Sequence, residues 1–308
     1  MADRAERKSA ELEAGSRFEN ASTTRKMFLV TGPWSFLMSA VAITAGTFIS
    51  DWHQVSPLLY VLALLMVVPI HASANLLNDC YDVMTGADRP GTQALKPHPV
   101  LSGFLSLRAT VVYAAAMMAV GLGSGVALTA MERPFSLVIV AAAVVLMLSY
   151  NAPPLRLKDK GMGELLVFVV WGPLMFLGAH YLQTGSLALE AVVYSVPLGM
   201  LVASVLLVDD ARDVDEDRSI GRTTVATLLG QRRALEAYDW VVALSYVLTV
   251  ALSVLLDRPW LLIVLLSAPL ALRLTKAFAA RLPLVAPDRK AAQLMAAFGL
   301  LYAVALAA

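Results

Sequence analysis

Asn78, Asp79 and Asp82 follow Asn75 by three, four and seven residues, at the end of a long apolar run. At 100° per residue that spacing puts all four side chains within roughly a quarter of a helical circumference. Asp209, Asp213 and Asp217 repeat the arrangement, again after an apolar run. Like charges one turn apart repel, and the C-terminal end of a helix disfavours anions further. A cost of that kind calls for a cation. Ligands that are all oxygen, with no His or Cys among them, suit a hard ion, and a few carboxylates plus substrate phosphate oxygens are the usual way proteins hold Mg²⁺. The expected chemistry is a metal-assisted reaction of a phosphate ester. The plainer alternative, solvated loop acids, fits Asp210, Asp215 and Glu216, which point off the stripe.

A diphosphate that is bound and released as a leaving group also needs fixed positive charge. Tyr150-Asn151-Ala-Pro153-Pro154-Leu-Arg156-Leu-Lys158 offers it. The two prolines stop the preceding helix and predict an extended segment, with Arg156 and Lys158 on one side as alternate residues. Clamps of this type stabilise charge developing on phosphoryl oxygens. Lys160 reads better as a topology marker. Lys96 and His98, the latter between two prolines, are weaker candidates, and His98 is expected to be exposed.

These segments must be positioned by membrane helices. The chain is 58% hydrophobic and 15% charged, with mean hydropathy +0.70, whereas ordinary soluble domains carry roughly 25% charged residues. We read an all-α polytopic bundle of about nine transmembrane helices, over 27–49, 57–77, 107–129, 134–151, 163–182, 188–208, 236–256, 258–280 and 288–307. Taken by alternate sides, every Lys and Arg except Arg133 and Arg258 falls on the side of the N-terminal tail and of the loops after helices 2, 4, 6 and 8. The positive-inside rule makes that side cytoplasmic, with the C-terminus outside and both acidic segments facing the cytoplasm. Residues 1–26 lack the apolar core of a signal peptide and read as a mobile cytoplasmic tail, and 27–308 as a single membrane domain. The lone Cys80 excludes an intramolecular disulfide and a cysteine metal cage. No nucleic-acid partner is expected. Asn78-Asp79-Cys-Tyr-Asp82-Val and Asp209-Asp210-Ala-Arg-Asp213-Val share one pattern four helices apart, which suggests two four-helix halves plus one helix.

Two aspartate-rich segments ending helices 2 and 6 of such a bundle resemble the UbiA superfamily of intramembrane prenyltransferases. The likeness runs from Pro33-Trp34-Ser35-Phe36 to the last helix. It is greatest to the menaquinone-pathway branch, the 1,4-dihydroxy-2-naphthoate prenyltransferases. The residues that carry it are Tyr150 to Lys158, Lys160-Gly-Met-Gly163-Glu164, Trp171-Gly-Pro-Leu, Gly178-Ala-His-Tyr181-Leu-Gln183 and Arg212-Asp213-x-x-x-Asp217-Arg218-x-x-Gly221-Arg222-x-Thr224. The chain departs from that branch at Asp209 and Asp210, where two asparagines are usual, and at Gly32, where an Arg-Pro precedes the aromatic segment.

The resemblance implies that Asp79, Asp82, Asp209 and Asp213 bind Mg²⁺, with Asn75, Asn78, Asp88 and Asp217 assisting, and that the metal bridges the diphosphate of a polyprenyl donor. Arg156 and Lys158 share that charge. Ionisation of the allylic C–O bond leaves a carbocation, which an electron-rich aromatic acceptor attacks. Tyr81 and Tyr150 are candidates to steady it with π-density, and Asp88 or the released diphosphate to act as base. The lipid bilayer holds the isoprenoid tail. Rival readings are another acceptor (a quinone precursor, chlorophyllide or a glycerol phosphate lipid), a terpene cyclase, and a cation-coupled transporter, whose acids more often lie near the bilayer midplane.

Overall fold

A computed structural model describes residues 15–50, 52–89, 97–280 and 286–308. Among them the regular structure is helical: α1 Thr23–Val30, α2 Phe36–Thr47, α3 Pro57–Thr85, α4 Leu107–Ala130, α5 Phe135–Asn151, α6 Gly163–Thr184, α7 Leu189–Arg212, α8 Val214–Ser219, α9 Val225–Leu229, α10 Gln231–Leu255, α11 Pro259–Ala279 and α12 Pro287–Ala307. No strand occurs among the described residues, only an isolated bridge from Lys160 to Thr223.

Seven of these helices are long and apolar enough to cross a bilayer, and α1 with the segment Pro33–Thr47, bent by 55°, makes an eighth if the pair is one span. The expected count of about nine is reached only if α5 is included, and its 17 residues are shorter than the other spans. The largest difference from the expected boundaries lies in α3. Ser56 caps its start by accepting from the Leu59 N–H, Pro57 sits at the first turn, and the helix runs on to Thr85 before Gly86 ends it at φ +72°. The first acidic segment is therefore helical throughout, and its stripe is real.

The bundle closes through small residues. A Cβ at Gly121 of α4 would lie 2.6 Å from the Met66 carbonyl of α3, and one at Gly199 of α7 would lie 2.8 Å from the Gly172 Cα of α6. Glycine there lets two backbones touch. Gly172 also has non-helical dihedrals inside a π-helical turn that includes Pro173, which kinks α6 halfway along its length. Phe18, in the stretch expected to be a tail, is 7% exposed and meets Phe104 edge to face at 5.7 Å. It is part of the packed bundle.

Candidate active site

The stripe on α3 meets its counter-charges at the end of an apolar cavity. Asp82 is 5% exposed. Lys158 Nζ donates to Asp82 Oδ1 at 2.7 Å and Oδ2 at 2.8 Å, and to Asn78 Oδ1 at 2.7 Å. Arg222 approaches the same carboxylate at 3.3 Å and Arg156 at 3.7 Å. Burial pulls the Lys158 ammonium below the usual lysine range, while Asp82 pushes it back up. Burial alone would lower the Arg222 guanidinium, but Asp82, Asp217 and Asp159 raise it above its ordinary value.

Two loops are tied together to make this arrangement. Gly161 N–H donates to the Thr223 carbonyl at 2.8 Å and Thr223 N–H to the Asp159 carbonyl at 3.1 Å. Asp159 then receives Arg222 at 2.8 Å and Arg156 at 2.5 Å. The extended segment expected after Pro154 does not form. Arg156 has a left-handed backbone, φ +41°, and Leu157–Asp159 is a 3-10 turn. A turn closed against Thr223 folds the two cations onto Asp82 more tightly than alternation along a strand would.

The rest of the first segment faces a second group. Ligand atoms of Asp79, Asp88 and His98 lie within 4.8 Å of one another, and Asp79 is 1% exposed. His98 is buried, contrary to expectation. Its Nδ1 accepts the backbone N–H groups of Val100 and Leu101, both at 3.1 Å. A ring nitrogen that accepts two N–H bonds carries no hydrogen, which leaves Nε2 as the ring's N–H. That nitrogen is 3.4 Å from Asp88 Oδ2. With its Nδ1 lone pair engaged, His98 offers none to a metal, and the donors left for a cation are oxygens, which fits Mg²⁺. Lys96 lies outside the described residues.

The second segment is arranged differently. α7 ends at Arg212, so the expected helical stripe of Asp209, Asp213 and Asp217 is interrupted at Asp213. Arg212 binds Asp209 at 2.6 Å and Asp213 at 2.5 Å through Nη2 and Asp288 of α12 at 2.9 Å through Nη1. Asp217 turns instead to Arg222, 3.2 Å away, and burial pushes its carboxyl up to about 6 with that arginine opposing the rise. Asp215 and Glu216 are exposed, whereas Asp210 is half-buried with Glu164 and Arg222 in its electrostatic surroundings.

A cavity of about 270 Å³ runs inward from this end. Its apolar wall includes Ile43, Met66, Ile139, Met147 and Leu182, and its polar groups are His71, Asn75, Asn78, Tyr150, Asn151 and Trp171. Tyr81 is not among its lining residues. One wall carries a directed chain: Trp171 Nε1–H donates to Ser39 Oγ at 3.0 Å, which pairs with His71 Nδ1 at 2.8 Å. His71 Nε2 meets Ser35 Oγ at 3.2 Å, and Ser35 donates to the Gly32 carbonyl. Asn75 joins through Nδ2, to Ser35 Oγ and the Thr31 carbonyl.

The reading from sequence singled out no role for Arg212, Arg222, Asp159, Asp288, His71 or Asn151. Arg222 had a signal, lying five residues after Asp217 in an acid-rich loop. Asp288 had a fainter one, an acid in the first turn of the last helix after Pro287.

The UbiA prenyltransferase family matches residues 36–299. The chain is 26% identical over 292 residues to a 1,4-dihydroxy-2-naphthoate octaprenyltransferase of Bacillus subtilis, covering 91% of each protein. To the enzyme of that name from Mycobacterium tuberculosis it is 31% identical over 241 residues, 77% of this chain and 80% of the other. In fold it is similar to a UbiA homologue from Archaeoglobus fulgidus bound to DMAPP and Mg²⁺, with TM-score 0.64, 19% identity and coverage of 91% and 99%. An apo UbiA homologue from Aeropyrum pernix superimposes with TM-score 0.70, 19% identity and coverage of 88% and 96%. With a matching family over most of its length and an all-helical membrane fold shared with solved homologues, the chain is a member of the UbiA family of membrane prenyltransferases.

Proposed function

We propose that the protein transfers a polyprenyl group from an allylic diphosphate to an aromatic acceptor in an Mg²⁺-dependent reaction, and that the acceptor is 1,4-dihydroxy-2-naphthoate. The observation that carries this reading is the buried Lys158–Asp82 pair, met by Arg222 and bonded to Asn78, which lines the polar end of an apolar cavity. Charge concentrated at one end of a greasy slot matches a substrate with a diphosphate head and a hydrocarbon tail. The names of the relatives support the acceptor.

Asp79, Asp82, Asp209, Asp213 and Asp217 would hold Mg²⁺, which when bound neutralises the diphosphate and makes it a better leaving group. Lys158, Arg156 and Arg222 take the phosphate oxygens that face the loops, and stabilise the negative charge as the C–O electron pair departs with the diphosphate. Asn75 and Asn78 order the α3 stripe, Asp88 assists from beside Asp79, and Tyr150 lines the cavity where the allylic cation forms. A π pair of the acceptor ring makes the new C–C bond, and the ring recovers aromaticity by loss of its carboxylate as CO₂ or of a proton. The cavity keeps water from the cation. The charge distribution supports a cytoplasmic mouth and N-terminus with the C-terminus outside, and residues 27–308 belong to a single membrane domain that also takes in Phe18 and the start of α1.

Membranes incubated with Mg²⁺, geranylgeranyl diphosphate and a panel of aromatic and lipid acceptors should yield prenylated 1,4-dihydroxy-2-naphthoate by mass. Asp79→Ala and Asp213→Ala should abolish consumption of the diphosphate. Turnover that survives both substitutions would overturn the assignment of the site, and product with another acceptor alone would overturn the choice of acceptor.

A further inference from the structure

The polar wall of the cavity is nearly complete in itself. His71, Asn75, Asn78 and Trp171 each hydrogen-bond to other protein groups. Among the polar side-chain atoms of that wall that are closed to solvent, the carbonyl oxygen of Asn151 stands apart. Asn151 is 3% exposed, and its Oδ1 has no hydrogen-bond partner among the described residues. A buried acceptor without a donor is costly and uncommon in folded proteins, and the usual explanation is a missing water, ion or ligand.

Position narrows the choice. Asn151 is the last residue of α5, adjacent to Tyr150 and five residues before Arg156, so it stands where the cavity meets the cationic loop. An ionised diphosphate offers only acceptor oxygens and a prenyl tail offers no polar group, so neither can satisfy a carbonyl. An arene with a phenolic hydroxyl can. The same hydroxyl enriches the ring in electrons, and nucleophilic attack on an allylic cation requires such a ring.

We propose that Asn151 is a specificity-determining residue that accepts a hydrogen bond from a hydroxyl of the aromatic acceptor through Oδ1 and so sets the ring beside the allylic carbon. The inference rests on the prenyl-transfer reading above and adds to it the group that recognises the acceptor. Fixing one hydroxyl at the cavity mouth selects hydroxylated arenes over apolar ones, because an arene that lacks the donor leaves the carbonyl unsatisfied.

The test is two-substrate kinetics of the full-length protein in proteoliposomes with Mg²⁺, geranylgeranyl diphosphate and 1,4-dihydroxy-2-naphthoate. Asn151→Leu, close in volume, should raise KM for the naphthoate about tenfold and leave KM for the diphosphate within about twofold of the original value. A rise confined to the diphosphate would mean that the amide presents its N–H₂ to the phosphates, and it overturns the proposal, as does an unchanged pair of KM values. Methyl ethers of the acceptor provide a measurement that needs no variant. The unsubstituted protein should bind at least one of the two monoethers about tenfold more weakly than the parent, and equal KM values for parent and both ethers overturn the proposal. If the unsubstituted protein prenylates none of these arenes, the prenyl-transfer reading itself fails, a result separable from a failure of Asn151 alone.

Discussion

The two aspartate-rich segments share a sequence pattern and differ in what holds them. On α3 the carboxylates stay on one unbroken helix, and Asp82 is balanced by cations from other elements, Lys158 and Arg156 from one loop and Arg222 from another. At the end of α7 the helix stops at Arg212, and that arginine, inside the segment, gathers Asp209 and Asp213 with Asp288 of α12. The first segment is thus coupled to groups that can exchange a carboxylate for a phosphate. The second carries its own counter-ion and is anchored to the last helix. A repeat of ligand types does not make a repeat of electrostatics.

The largest effect expected from that difference follows Asp82→Ala, which leaves the buried Lys158 with Asn78 alone and takes one of three carboxylates from Arg222. Product formation should fall by at least about 100-fold, and stability by about 3–5 kcal/mol, read by mass detection and by thermal unfolding in detergent. Arg212→Met should leave Asp209, Asp213 and Asp288 facing one another. Without Mg²⁺ the unfolding midpoint should drop in line with a loss of about 3 kcal/mol, and added Mg²⁺ should recover more of it than it gives the unsubstituted protein. An equal Mg²⁺ response in both would mean that these three acids do not share a cation site. His98→Ala removes the buried ring that packs beside Asp88, and the Mg²⁺ concentration for half-maximal rate should rise about tenfold. Asp288→Asn is the mildest, since Arg212 keeps two carboxylates. A loss of about 1 kcal/mol with the rate nearly kept is expected, and a collapse of activity would make α12 part of the site.

Much of this was legible from periodicity. Apolar runs set the helices, spacing by three and four set the α3 stripe, and the prolines before Arg156 marked a loop that delivers Lys158 to Asp82. What stayed hidden depends on groups far apart in sequence. Local periodicity fixes the face on which Asp209 and Asp213 lie, but not that a helix would end between them, nor that Asp288 would arrive beside Arg212 from the last helix. His98 read as exposed because two prolines flank it, yet it is buried and the backbone amides of Val100 and Leu101 cap its ring. Asn151 gave no signal at all, because a missing partner is visible only once every neighbour has a place.

The contact between Gly172 and Gly199 bears on how this protein could change its substrate. Where two backbones meet with no side chain between them, the seam can neither yield nor be trimmed, so α6 and α7 behave there as one rigid beam. A methyl group added at Gly199 would force the helices apart and deform the kink that presents Trp171. Variation in the size of the cavity therefore falls to the side chains that line it, Leu166, Leu174 and Met175 on α6 and Met66, Ile139 and Met147 on α3 and α5. The seam behind the slot is a fixed gauge, and its lining is the part that selection can file.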